Sequence, residues 1–356
     1  MTRADRIADA LSERGADLLL VSDPLNLRYA TGFTGTNGLA IIGPDVRIFL
    51  TDFRYVEQAA AQVPAFDRRP ADRDLLDGLA EHVPADGGVR LGFDDAHVSV
   101  RTHRRLGEIL GEGVELVPAG GVVEELRMVK EADELDRIRA AAQLADAALR
   151  GQLERGLSGR TEREVAVELE HAMRLAGAEE PSFPSIVAAA EHAARPHAEP
   201  RHVEIPRGSF VTIDWGARVD GYCSDCTRTF ATGEVDGELR DGYELVRRAQ
   251  AKALAAVAPG EGARDVDAVA RDIIDGAGHA EHFGHPLGHG VGLNVHEDPR
   301  LSRKSEVTLA PGHVVTVEPG VYVPGRYGVR IEDLVAVTDA GHEVFSSLGK
   351  ELTVVD

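Results

Sequence analysis

Lysine is nearly absent from this chain, occurring only at 130, 252, 304 and 350, so the basic residues are largely arginine. Basic charge as a whole is outweighed, with 39 Lys and Arg against 60 Asp and Glu and a formal charge of −21. Phosphate binding needs clustered cations, so nucleic acid is excluded as a partner class. No run approaches about 18 uninterrupted apolar residues, which excludes a membrane-spanning helix. The opening stretch MTRADRIADALSERGADLLLVS is charged throughout and has no apolar segment followed by a small-residue cleavage site. It does not read as a secretion signal, and the cytoplasm is the expected location. Cysteine is scarcer still, with Cys223 and Cys226 making a single CxxC. A structural zinc needs about four thiolate or imidazole ligands, and there is no second pair. A redox pair is expected at a helix start, whereas these two lie in a strand-like run. Neither role is expected of them, and whether they make a nearby site sensitive to oxidation stays open.

What is present describes two domains, the natural division for 356 residues. Residues 1–122 alternate short apolar runs with helical patterns. The strands expected are Leu18–Val21, Gly38–Ile42, Val46–Leu50, Val89–Phe93 and Val114–Val117, with helices near 3–14, 54–62, 71–82 and 99–110. That alternation predicts an α/β domain. Pro118-Ala-Gly-Gly121 then breaks the pattern and sets the boundary. Residues 123–356 read as α+β. A long helix is predicted from Glu131 to about Arg150, stopped by Gly151, with Leu135, Ile138, Ala142, Ala145 and Leu149 on one face. Thr161-Glu-Arg-Glu164 has the form of a capping box opening the next helix, which Gly177 ends. Further helices fit 238–257 and 264–275, and strands cluster after 183 and after 312.

Three segments carry the residue types of a reactive centre. In Val211–Phe230 the pair Asp220-Gly221 is a strong two-residue hairpin turn. It pairs Val219 with Tyr222 and, counting outward, Gly216 with Asp225. Asp214 shares a face with Gly216, so Asp214 and Asp225 become diagonal neighbours across the ladder. Two carboxylates so placed repel unless a proton or cation lies between them. Scattered acids near a surface turn would give the same pattern. The second segment, His313–Gly320 and Gly328–Val337, folds back about Gly325 and sets Glu318 opposite Glu332. Each acid interrupts an apolar run, and a lone buried glutamate needs a cation or a hydrogen-bonding partner. Arg330, on the face of Glu332, is one such partner, so a purely structural ion pair remains open. The third segment, Phe283–Arg300, places His285, His289 and His296 among glycines. Four carboxylates and one imidazole would balance two divalent ions about 3.5–4 Å apart. The oxygen-rich set favours Mn²⁺, while affinity order and availability also admit Co²⁺, Zn²⁺ or Fe²⁺.

At these residues the chain resembles the Xaa-Pro peptidases, the aminopeptidase P and prolidase group of the pita-bread, creatinase-like metallopeptidases. The likeness extends over Asn26–Gly38, Pro184-Ser-Ile-Val, Arg195-Pro-His197, the Asp-Trp-Gly…Ser-Asp-Cys-Thr-Arg-Thr hairpin, Gly288–Gly292, Thr316–Gly320 and Gly328–Asp333 in order. It implies a creatinase-like α/β domain followed by an α+β pita-bread domain. It also implies Asp214, Asp225, His289, Glu318 and Glu332 as metal ligands, with Asp225 and Glu332 bridging. By the same resemblance a metal-bridging hydroxide attacks the scissile carbonyl, and Glu318 shuttles the proton to the leaving nitrogen. His197 and His296 would stabilise the tetrahedral intermediate and orient the substrate. His285 would lie near the proline ring, and Arg330 would steady the metal-bound carboxylates. Proline-containing peptides are the implied substrates and a homodimer the implied assembly. Activity on longer peptides, as an Xaa-Pro aminopeptidase, is the expectation. Xaa-Pro dipeptidase activity is the alternative, and Arg300 matches a position where some prolidases hold the dipeptide carboxylate. A metal-free creatinase-type enzyme or binding module would have lost metal ligands, and none is lost here.

Overall fold

The computed structural model describes residues 1–84 and 88–356, which divide into two compact units, Met1–Arg127 and Met128–Asp356. A helix, Val122–Met128, occupies the position at which the sequence reading divides the chain.

The first unit is built on a six-stranded sheet in the order Asp67–Pro70, Val46–Thr51, Gly38–Gly43, Leu18–Val21, Val89–Phe93, Val114–Pro118. Gly38–Gly43 runs antiparallel to both its neighbours, and the remaining pairs are parallel. Leu20, Ile41, Leu50, Leu91 and Leu106 form the buried apolar layer under the helices. The expected strands form; the exposed edge strand Asp67–Pro70 carries no apolar alternation and escaped the pattern. The helix expected at 71–82 does not form, and only the 3-10 turn Leu79–Glu81 is helical there. Leu75 and Leu79 are buried without it, and Gly78 weakens helix propensity at the centre of the segment.

The second unit has the α+β composition expected of it. Helices Ala132–Leu153 and Glu162–Leu175 pack on the sheet of Ile186–Ala189, Phe210–Trp215 and Cys226–Ala231. Gly151 does not stop the first of them, since buried Gln152 and Leu149 continue its inward face; a glycine costs a helix only about 1 kcal/mol. The Thr161 capping box forms as read, and Thr161 Oγ1 accepts from the Glu164 amide. Helices Gly237–Ala256 and Ala263–Gly276 pack on a second sheet that includes Val314–Val317 and Asp333–Thr338. No helix among the described residues is long and apolar enough to cross a membrane.

Candidate metal centre

The two acid-bearing hairpins adopt the registers their turns dictate. Val219 pairs with Tyr222, and Asp214 pairs with Thr227, the same register carried outward past Gly216 and Asp225. On the other hairpin Val323 pairs with Tyr327 and Gly320 with Arg330, and the register resumes at Val317 and Asp333. Glu318 and Glu332 therefore face each other. The hairpins join where the Glu332 amide donates to the Thr227 carbonyl and the Arg330 amide to Thr229 Oγ1. Asp214, Asp225 and Glu332 each bring an oxygen within 4.8 Å of the others.

His289 completes the cluster from the glycine-rich segment. Its Nε2 lies 3.3 Å from Glu318 Oε1 and 3.5 Å from Asp225 Oδ2. Its Nδ1 donates to the Gly290 carbonyl at 3.1 Å. Burial lowers the pKa of the ring, and the hydrogen bond and charge of Glu318 more than reverse that; a cation bound at Nε2 would take the place of the proton shared with Glu318. These five residues line one cavity of about 480 Å³ together with His197, His285, His296, Arg300 and Arg330. Phe183, Pro184 and Ile186 line it as well and give it an apolar wall.

Arg330 takes a different partner from the one its strand face suggests. Its Nη2 donates to Asp214 Oδ2 at 2.6 Å, and it reaches Glu332 only through Thr227. The Thr227 hydroxyl accepts from Arg330 Nε at 2.9 Å and donates to Glu332 Oε2 at 2.7 Å. The guanidinium also donates to the Tyr322 hydroxyl, which lies 3.0 Å from His285 Nε2. Because His285 Nδ1 faces the Pro286 carbonyl at 2.7 Å, Nε2 accepts the tyrosine proton. Thr316 plays the matching part for Glu318: its hydroxyl accepts from the His289 amide and donates to Glu318 Oε1. Thr227, Thr316 and Tyr322 were not picked out from sequence. The signal was period-two alternation, which puts Thr227 on the face of Asp225 and Thr316 on that of Glu318.

The electrostatics call for added positive charge. Burial, then the charges of Glu332 and Asp214, hold the Asp225 carboxyl well above the usual carboxylate range. Burial, then Glu318 and Asp214, do the same to Glu332. Burial also raises Asp214, against the pull of Arg330. Glu318 goes the other way: burial alone would lift it, and the hydrogen bond and charge of His289 outweigh that. Asp214 Oδ1 and Glu332 Oε1 are buried without a hydrogen-bond partner. Orphaned buried carboxylate oxygens are costly, and a divalent ion satisfies both the geometry and the charge. The donor set fits a pair of such ions.

Comparison with known proteins agrees with this chemistry. Residues 136–339 match the model of metallopeptidase family M24, and residues 3–129 match the creatinase/prolidase N-terminal domain. The chain belongs to family M24. An Xaa-Pro dipeptidase from Bacillus anthracis of known structure is 40% identical with a TM-score of 0.96, each chain covered to 99%. An X-Pro aminopeptidase from Thermotoga maritima is 33% identical with a TM-score of 0.90, over 98% of this chain and 100% of that one. An Xaa-Pro dipeptidase from Pyrococcus furiosus is 33% identical over 98% of this chain and 99% of its own length.

Proposed function

We propose that this chain is an Xaa-Pro dipeptidase in which Asp214, Asp225, His289, Glu318 and Glu332 hold two divalent ions, Mn²⁺ in the first place. The observation that carries the reading is the buried, partly orphaned carboxylate cluster at one end of a cavity that also contains an unpaired guanidinium. Arg300 makes no hydrogen bond or ion pair among the described residues and lines the cavity with His197 and His296. A dipeptide presents its C-terminal carboxylate within reach of the scissile bond; a longer peptide does not. This moves the reading from the longer peptides expected from sequence to dipeptides.

When bound, the ions supply Lewis acidity and a water of lowered pKa. The remaining work falls to side chains. Glu318, held by the Thr316 hydroxyl, carries the proton toward the leaving nitrogen. His197 and His296 offer ring N–H groups to the oxygen that gains charge at the scissile carbonyl. Phe183, Pro184 and Ile186 face the substrate as an apolar wall, and His285 lies in the same cavity. An Xaa-Pro bond has no N–H and a fixed φ, so ring fit replaces the strand-like grip of general peptidases. The reading also takes the protein as a cytoplasmic homodimer, which sedimentation equilibrium of the metal-loaded protein checks.

The test uses chelator-stripped protein reloaded with Mn²⁺ and compares Ala-Pro with Ala-Pro-Ala by free alanine. Ala-Pro is the faster substrate, and Arg300→Ala raises its KM about 10–100-fold while leaving Ala-Pro-Ala little changed. Faster cleavage of the tripeptide returns the assignment to an aminopeptidase and makes Arg300 a surface residue.

A further inference from the structure

His197 and His296 make no hydrogen bond of their own among the described residues, so the loops that carry them set their positions. Each loop ends on a charge buried outside the cavity. We propose that Glu162 and Lys130 are positioning residues, the first fixing His197 and the second His296. The proposal rests on the site reading given above.

Glu162 is the first residue of its helix, with a side chain 1% exposed. It accepts from the amide of Ala189, Nδ1 of His192, and the amide, Nε and Nη2 of Arg201, all at 2.9–3.1 Å. Those donors stand at the two ends of the 189–201 loop, and Pro196, His197, Ala198 and Glu199 line the cavity from its middle. The loop is tightly held on its other side. A Cβ on Gly328 would fall 1.8 Å from the Ala193 carbonyl oxygen, and Arg330 Nη1 donates to the Pro196 carbonyl. Ala190 sits at φ 53, a conformation that alanine keeps only when its surroundings impose it. A single carboxylate thus closes the loop at its base.

Lys130 does the equivalent for the 291–297 segment. Its side chain is 1% exposed, and Nζ lies 2.7 Å from Glu297 Oε1. It is fixed in turn by its amide, which donates to Gly312, and by Nζ donating to the Met128 carbonyl. The Glu297 carboxylate rests on the backbone of Gly292, where a Cβ would fall 2.2 Å from Oε1. His296 directly precedes Glu297, and its ring stands 4.3 Å from that of His289. The ammonium therefore holds the side chain next to His296 against the turn that leads to it.

Positioning differs from mere support in being specific to one histidine. With Mn²⁺-loaded protein and Ala-Pro, Glu162→Gln and Lys130→Met each lower kcat about 10–100-fold with KM little moved. In a His197→Ala background Glu162→Gln costs nothing further, whereas in a His296→Ala background it costs its full amount. Lys130→Met shows the mirror pattern. Where either variant folds poorly, Arg201→Gln and Glu297→Gln replace it. Losses that add in both backgrounds overturn the proposal and leave the site reading standing. His197→Ala and His296→Ala enzymes with full turnover overturn both.

Discussion

Glu332 and Asp333 are adjacent in the chain, both buried, and their carboxylates have opposite surroundings. Asp333 accepts from Arg228 Nη2 at 2.8 Å, from Gln250 Nε2 at 2.9 Å and from Lys350. Burial pushes its carboxyl up, and the charges of Arg228 and Lys350 more than reverse that. Glu332 accepts from Thr227 alone, keeps Oε1 unpartnered, and is held above the usual carboxylate range. Burial is common to the two. What separates the two carboxylates is hydrogen-bonding demand, met at Asp333 and left unmet at Glu332. Arg228, 1% exposed, also donates to the carbonyls of Thr227, Glu332, Leu348 and Gly349 and to Cys226 Sγ, tying residues 348 and 349 to the back of the site.

The largest test of that contrast is Asp225→Asn, on the unmet side. It lowers Ala-Pro turnover by about 10³-fold or more, while urea midpoints of the chelator-stripped protein at neutral pH hold or rise, because one repelling charge is gone. A clear loss of metal-free stability would place Asp225 with the structural acids. Asp333→Asn is expected to invert the pattern. It leaves Arg228 buried and underpaired and destabilises by about 3–5 kcal/mol, while turnover per metal-loaded molecule falls far less than for Asp225→Asn. Equal activity losses in the two variants would erase the distinction.

The smallest effect belongs to His313, which is 4% exposed and accepts from the Ala310 amide at Nδ1. Burial, then the nearby Lys130, lower its pKa from 6.5 to about 4. The unfolded chain therefore binds the proton first as pH falls. Stability from this group is whole above pH 6.5 and is lost down to about pH 4, an effect on the order of 3 kcal/mol. Denaturant midpoints measured across that window show a shallower acid limb in His313→Gln. Parallel limbs in variant and parent would assign the acid sensitivity elsewhere.

The parts of this site that local rules govern are legible in the sequence. Asp220-Gly221 and Gly325 fix two registers, and period-two alternation then brings Asp214 near Asp225 and Glu318 opposite Glu332. The partner of Arg330 was not legible, because strand facing cannot say which of two acids a long guanidinium reaches. Glu162 and Lys130 were passed over for a similar reason. One reads as a helix-opening acid and the other as one of four scattered lysines, and only packing brings them to loops 27 and 167 residues further along. The segment 71–82 failed in the other direction: its leucines recur as in a helix, yet isolated turns bury them.

The paired registers have a consequence for how this chain can vary in length. One residue inserted or deleted inside 215–219, 222–224, 319–323 or 327–331 turns a carboxylate to the opposite face unless a bulge absorbs the change. Substitutions in those arms disturb packing, but a frame slip takes an acid out of the cluster outright. Length changes are therefore tolerated in the turns themselves or in connections such as 302–308, and the cluster depends more strictly on the spacing of the acids than on the residues between them.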